Sequence, residues 1–173
     1  TIFGNSTIDR RGCLDSDGDG WSDAGDDFPN DPAIHLDTDG DTIPDHLDDF
    51  PFDPTQWVDA DGDGMGDNPM GIGADHFPSD PSQWGDIDGD GYGDNQTGTN
   101  PDDFPIDATQ WSDFDDDGYG DNPAGRLYDL FPTDSTQWED ADGDGLGDNL
   151  TGDNADPYLN DLDNDGYNDS IDI

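Results

Sequence analysis

Seven times the chain spells Asp-x-Asp-x-Asp, beginning at Asp15, Asp37, Asp59, Asp86, Asp113, Asp140 and Asp161. Successive starts lie 22, 22, 27, 27, 27 and 21 residues apart, so an internal repeat organises the sequence before any secondary structure is assigned. Every acid except Glu139 is Asp. Asp is a poor helix former, and its short carboxylate suits tight turns and oxygen-rich cation sites. The pattern therefore predicts local loop chemistry rather than a long acidic helix.

Composition decides what cannot hold such a chain together. Its 173 residues include 47 acids and three bases, with no Lys, for a formal net charge of -44. Salt bridges cannot neutralise that charge. Leu, Ile, Val and Phe together number only 27, too few for an ordinary apolar core and, at this charge, in the compositional range of disordered proteins. Yet five Trp and five Tyr are present and regularly placed, which predicts an ordered chain held by something other than a core.

The offsets within each copy say what that is. Counting the first Asp as one, acids stand at positions one, three, five and nine: Asp15, Asp17, Asp19 and Asp23; Asp37, Asp39, Asp41 and Asp45; Asp59, Asp61, Asp63 and Asp67; Asp86, Asp88, Asp90 and Asp94. The later copies continue with Asp113, Asp115, Asp117 and Asp121; Asp140, Asp142, Asp144 and Asp148; and Asp161, Asp163, Asp165 and Asp169. Gly usually holds positions four and six. A hard cation of calcium's size takes six to eight oxygens, and a loop of alternate carboxylates with a sharp Gly turn and a backbone carbonyl at position seven wraps one. The carbonyl donors are assigned to Trp21, Ile43, Met65, Tyr92, Tyr119, Leu146 and Tyr167, whose side chains are expected to pack on a neighbour. One more acid closes the shell: Asp26, Asp48 and Asp172 at position twelve, or Asp75, Asp102, Asp129 and Asp156 where five inserted residues displace it. Asp31, Asp53, Asp80, Asp107 and Asp134 are candidates for a second ion per copy.

The insertions read as β-turns at Asn68–Gly71, Asn95–Gly98, Asn122–Gly125 and Asn149–Gly152. Departures from the pattern are few. Thr42 replaces the position-six Gly, which marks the second loop as the weakest because Thr tolerates positive φ poorly. Asp116 and Asn164 replace the position-four Gly. The last interval runs from Tyr158 almost directly into Asp161 without the usual linker, which predicts altered stacking there.

No amphipathic helix flanks any loop, since Pro and Gly punctuate every flank, and this argues against EF-hand and dockerin-type loops. The whole chain resembles the thrombospondin type 3 repeat. The resemblance is carried by runs such as DDFPFDPTQWVDADGDG at residues 48–64, with similar runs ending at Gln83, Gln110 and Gln137. Phe28, Phe50, Phe77, Phe104 and Phe131 stand where that family often has Cys. The resemblance implies a lead-in segment over residues 1–14, seven tandem calcium-binding repeats over 15–173, and an irregular, elongated array of loops in which calcium replaces the core. Phe and Trp recur seven residues apart, as at Phe50 and Trp57, and are expected to bridge successive loops in place of disulfides.

Cys13 stands alone in GNSTIDRRGC. Its segment is similar to one in repeat-bearing surface proteins whose Cys pairs upstream, which implies a segment of a longer protein or a processed protomer whose Cys13 pairs elsewhere; the alternative is a free thiol. Asn5, Asn95, Asn149 and Asn168 begin N-x-[ST] sequons and are candidate glycan sites. His35, His46 and His76 lack metal-ligand spacing; His35 occupies the slot that holds Trp in later copies. The function expected from this pattern is a calcium-binding spacer or adhesive stalk of an extracellular or cell-surface protein, where millimolar calcium suits weak, numerous sites. The alternative is the protomer of a calcium-stabilised filament that self-associates end to end. A glycosidase-like enzyme is disfavoured because every acid belongs to the repeat, and an acidic mineral coat because it needs no register. No apolar span suggests a membrane segment, and nothing suggests nucleic acid.

Overall fold

The computed structural model describes residues 4–163 and 166. Among them no helix forms, and strand-like pairing is confined to four isolated parallel bridges, Gly66 to Ala74, Gly93 to Pro101, Gly120 to Tyr128 and Gly147 to Ala155. The chain is irregular and loop-rich, as its composition predicts. The cause is local: short Asp carboxylates accept N–H groups two to five residues onward, taking donors that a helix or sheet would use.

No hydrophobic side chain among the described residues is buried. The interior is polar instead. Six closing acids, Asp26, Asp48, Asp75, Asp102, Asp129 and Asp156, are buried, as are Gln56, Gln83, Gln110 and Gln137, each only 1% exposed. Folding here cannot rest on apolar transfer.

The chain divides into two compact units, one ending at Trp84 and one beginning at Gly85. In the first, the lead-in lies on the first loop. The Thr7 and Ile8 N–H groups both donate to the Gly20 carbonyl, at 2.8 and 2.9 Å. Asp9 accepts from Ser22 N–H at 2.8 Å and Ser22 Oγ at 2.7 Å. These bonds, that to the Ser22 hydroxyl foremost, hold the Asp9 carboxyl well below the usual carboxylate range. His35 stacks on Trp21 with centroids 4.7 Å apart, so the residue in the Trp slot packs.

In each unit the linkers between loops are pairs of successive turns. In the first unit Asp53 N–H donates to Phe50 O at 2.9 Å, and Gln56 N–H to Asp53 O at 3.0 Å. In the second unit Asp107 to Phe104 and Gln110 to Asp107 repeat this at 2.9 and 2.8 Å. Pro after Phe pre-sets the φ the first turn needs. The second unit also contains two parallel ring stacks, Tyr92 on Trp111 and Tyr119 on Trp138, with centroids 5.1 and 5.0 Å apart. The bridging partner of each of these Trp rings is therefore the position-seven side chain rather than the Phe of its own linker.

Candidate metal centre

The fourth loop shows how the sequence builds the site. Asp86 accepts Gly89 N–H through Oδ1 at 2.7 Å and Gly91 N–H through Oδ2 at 3.0 Å. Asp88 Oδ1 accepts Asp90 N–H at 3.3 Å, and Asp90 Oδ1 accepts Tyr92 N–H at 2.9 Å. The turn demands φ of 83° at Gly89 and 93° at Gly91, which glycine supplies without a Cβ clash. Asp94 N–H then returns to Gly85 O at 3.0 Å, and Asp94 Oδ1 accepts Ile87 N–H at 3.4 Å. The position-nine acid thus helps close the loop. Finally Asp102 N–H donates to Gly93 O at 2.9 Å, and Asp102 Oδ1 accepts Phe104 N–H at 2.7 Å.

Other loops repeat these bonds. Position one takes N–H groups of positions four and six at Asp15, Asp37, Asp59 and Asp140. In the fifth loop, Asp116 sits at position four with φ of 61°, and Asp113 accepts Asp117 N–H at 3.1 Å and Gly118 N–H at 2.7 Å instead. Thr42 is driven to φ of 86° in the second loop, a conformation costly for a β-branched residue. Position nine closes the others: Asp23, Asp45, Asp67 and Asp148 each accept the position-two N–H, and Asp121 accepts that of Phe114 at 3.1 Å.

What remains after this bonding is a set of buried oxygens with no partner. In the fourth loop these are Oδ2 of Asp88, Asp90 and Asp102; in the third, Oδ2 of Asp61, Asp63 and Asp75. The fifth leaves both oxygens of Asp115 and Oδ2 of Asp117 and Asp129, and the second leaves Oδ2 of Asp39 and Asp41. Asp17 and Asp156 do the same in the first and sixth. The acids at positions one, three and five offer oxygens within 4.8 Å of one another in each of the first five loops.

The buried acid that follows each of these loops feels their charge. Burial pushes the Asp102 carboxyl up to about 6, aided by the like charges of Asp90, Asp88 and Asp94 and opposed by the Phe104 N–H. Asp129 is likewise pushed up to about 6, by burial first and then by Asp117, Asp115 and Asp121. Asp75 is raised by burial and by Asp63, Asp61 and Asp67, and Asp26 and Asp48 by burial and the acids of their own loops. Buried carboxylates facing each other without a cation are costly. Such groups can hold a metal ion, and their donors are all oxygen. Among the described residues no hydrogen bond reaches the carbonyl oxygens of Trp21, Ile43, Met65, Tyr92, Tyr119 or Leu146, which leaves them available as further donors.

The seam before Asp161 differs. Asp59 and Asp113 donate their N–H groups to Asp49 and Asp103, just after the preceding closing acid, whereas Asp161 donates to Asp142 Oδ2 at 2.8 Å. Asp142 also accepts Asp144 N–H at 3.2 Å, and Asp144 accepts Leu146 N–H at 2.7 Å. Asp163 is the last loop acid of this copy to be described; Asp165, Tyr167, Asp169, Asp172 and Asn168 lie outside the described residues.

The linker acids have a turn-forming job. Asp53 Oδ1 accepts both N–H and Oγ1–H of Thr55, at 3.0 and 2.7 Å, and Asp107 and Asp134 treat Thr109 and Thr136 alike. The four inserted turns carry their i to i+3 bonds at 2.8 to 2.9 Å. The Asn149 Nδ2, where a glycan would attach, donates to Thr136 O at 2.8 Å; Asn68 and Asn122, outside any sequon, make the same bond to Thr55 and Thr109. Asn5 and Cys13 are exposed, as are His46 and His76, and His76 Nδ1 lies 3.3 Å from Trp84 O.

Sequence reasoning missed the work of the buried glutamines. Gln56 Oε1 accepts Asn68 N–H at 2.9 Å, while Nε2 donates to Asn68 O at 3.1 Å and Ile72 O at 3.3 Å. Gln137 grips Asn149 and Asp153 in the same way. The signal was present: these Gln precede inserted loops, while Ile34 stands at the matching place before the uninserted second loop.

No family model matches the chain, and no curated protein compared with it matches. Among the described residues no helix is long and apolar enough to cross a membrane.

Proposed function

We propose that the chain is a calcium-binding structural spacer or adhesive stalk of an extracellular or cell-surface protein, built like thrombospondin type 3 repeats. The observation that carries this is the recurrence, loop after loop, of buried carboxylate oxygens without partners in a chain with no buried hydrophobic side chain among its described residues. The donor set is all oxygen and rich in charge, which suits calcium better than softer transition metals, and more oxygens are at hand than the six-ligand octahedral shell of magnesium uses. In the fourth loop Asp86, Asp88, Asp90 and Asp102 would hold the ion, with the Tyr92 carbonyl and Asp94 beside them. A bound cation supplies the positive charge that the chain lacks. The residues themselves do the rest: Gly89 and Gly91 turn the loop, Asp86 ties it, and Asp102 closes it.

In Asp88 and Asp90 one oxygen ties the turn and the other is left to the cluster, a division that favours a mechanical role over catalysis. Millimolar calcium outside cells would keep many weak sites filled. The test is small-angle scattering and calorimetric calcium titration. Compaction with saturable binding at a stoichiometry near the number of loops is expected. Identical scattering profiles in calcium and in excess chelator would reject the proposal.

A further inference from the structure

We propose that Gln110 is a positioning residue for the fifth loop, holding the inserted turn so that Asp129 is delivered to the cation. The inference rests on the calcium-binding reading and names what sets the affinity of one site. Gln110 is 1% exposed. Its Oε1 accepts Asn122 N–H at 2.9 Å, and its Nε2 donates to Asn122 O at 3.1 Å and Arg126 O at 3.0 Å. The segment so gripped joins Asp121 at position nine to Asp129, whose Oδ2 is buried and unpartnered. In the uninserted loops the closing acid follows three positions after position nine; here it follows eight positions after, and without a clamp the seven residues between would sample many placements of the acid.

The clamp also joins two loops. Gln110 ends a linker whose start is bonded to the preceding closing acid through Phe104 N–H and Asp102 Oδ1, at 2.7 Å. Ordering Asp102 therefore orders the linker that presents Gln110 to Asp129's loop, and by reciprocity filling either site favours filling the other. Gly120 shows that the fit is specific, since a methyl group there would collide with the Gln110 side chain. In the first two loops, which lack the insertion, Ser22 and Pro44 occupy that position.

The experiment is a calcium titration of the full chain followed by the amide resonances of Gly118 in the fifth loop and Gly20 in the first. Gln110→Met keeps the side-chain bulk and removes the bonds. It is expected to move the Gly118 midpoint about tenfold higher in calcium while Gly20 stays within about twofold. Gly120→Ala provides the second arm: it should weaken the fifth site in the parent and add little in a Gln110→Ala background, because the collision has gone. A Gly118 midpoint unchanged by Gln110→Met, or an equal cost of Gly120→Ala in both backgrounds, overturns the positioning role while calcium binding stands. If the parent shows no calcium-dependent shift at either glycine, both this role and the calcium reading fall.

Discussion

Tyr119 lies flat on Trp138, with ring centroids 5.0 Å apart and 5° between the planes. Tyr119 is the position-seven residue of the fifth loop, and Trp138 belongs to the linker before the sixth, so the stack joins a loop backbone to the segment that follows it. Stacked aromatic pairs contribute about 0.5–1.5 kcal/mol beyond the area they bury. Trp138→Ala should lower the thermal stability of the calcium-loaded chain by at least that amount. Acrylamide quenching of Trp fluorescence should rise when calcium is chelated; quenching that is indifferent to calcium would show that the stack is not tied to the loop.

Asp90 carries two duties, accepting Tyr92 N–H through Oδ1 and leaving Oδ2 buried and unpartnered. Asp90→Ala should reduce calorimetric stoichiometry by one and also weaken the fifth loop, because Asp102 of the same cluster holds Phe104 N–H at the start of the linker that leads there. Ile106→Ser, at a side chain 85% exposed in the linker, should leave the count unaltered. Equal stoichiometry in Asp90→Ala and the parent would remove Asp90 from the cage.

Thr42 adopts φ of 86° where other loops have Gly. Strain of this kind costs about 1–3 kcal/mol. Thr42→Gly should return part of it, raising the affinity of the second loop for calcium and the melting temperature in calcium. Part of the gain will be offset by glycine's greater freedom in the unfolded chain. A loss of stability would show that the Thr42 methyl and hydroxyl contribute more than the strain removes.

The pH response without calcium follows from Asp102 and Asp129. Their carboxyls are pushed up to about 6 from an ordinary value of 3.8. A carboxyl raised in the folded state favours folding when protonated, so its stabilising effect is complete below the unfolded value and is lost as pH rises through about 6. In chelator the chain should therefore be more compact at pH 4 than at pH 7. Asp102→Asn combined with Asp129→Asn should flatten that profile between pH 4 and 7, read by scattering. A radius of gyration independent of pH in chelator contradicts the electrostatic account.

The loops were legible because their bonds are short-range. Asp86 reaches Gly89 and Gly91, three and five residues on, and Asp90 reaches Tyr92, two residues on. Such contacts depend on backbone torsions that Asp and Gly favour locally, so spacing alone located the triplets and even the displacement of Asp75, Asp102, Asp129 and Asp156 by the insertion. The bond from Asn149 Nδ2 to Thr136 O illustrates the opposite: it joins residues 13 apart and no local pattern announces it, as is true of Asn68 and Asn122 in their own turns.

By itself the sequence determined that no apolar core can form, that carboxylates cluster at fixed loop positions, and that the chain is irregular, because charge balance and i to i+5 geometry are properties of composition and spacing. The tertiary structure decided that Gln110 reaches across to Asn122 and Arg126, that Tyr92 chooses Trp111, that Asp9 caps Ser22, and that Asp161 shifts its bond to Asp142. Each of those pairs is separated by between 12 and 19 residues. Whether such groups meet depends on how the intervening turns add up in three dimensions, and torsional preference at either end carries no record of that sum.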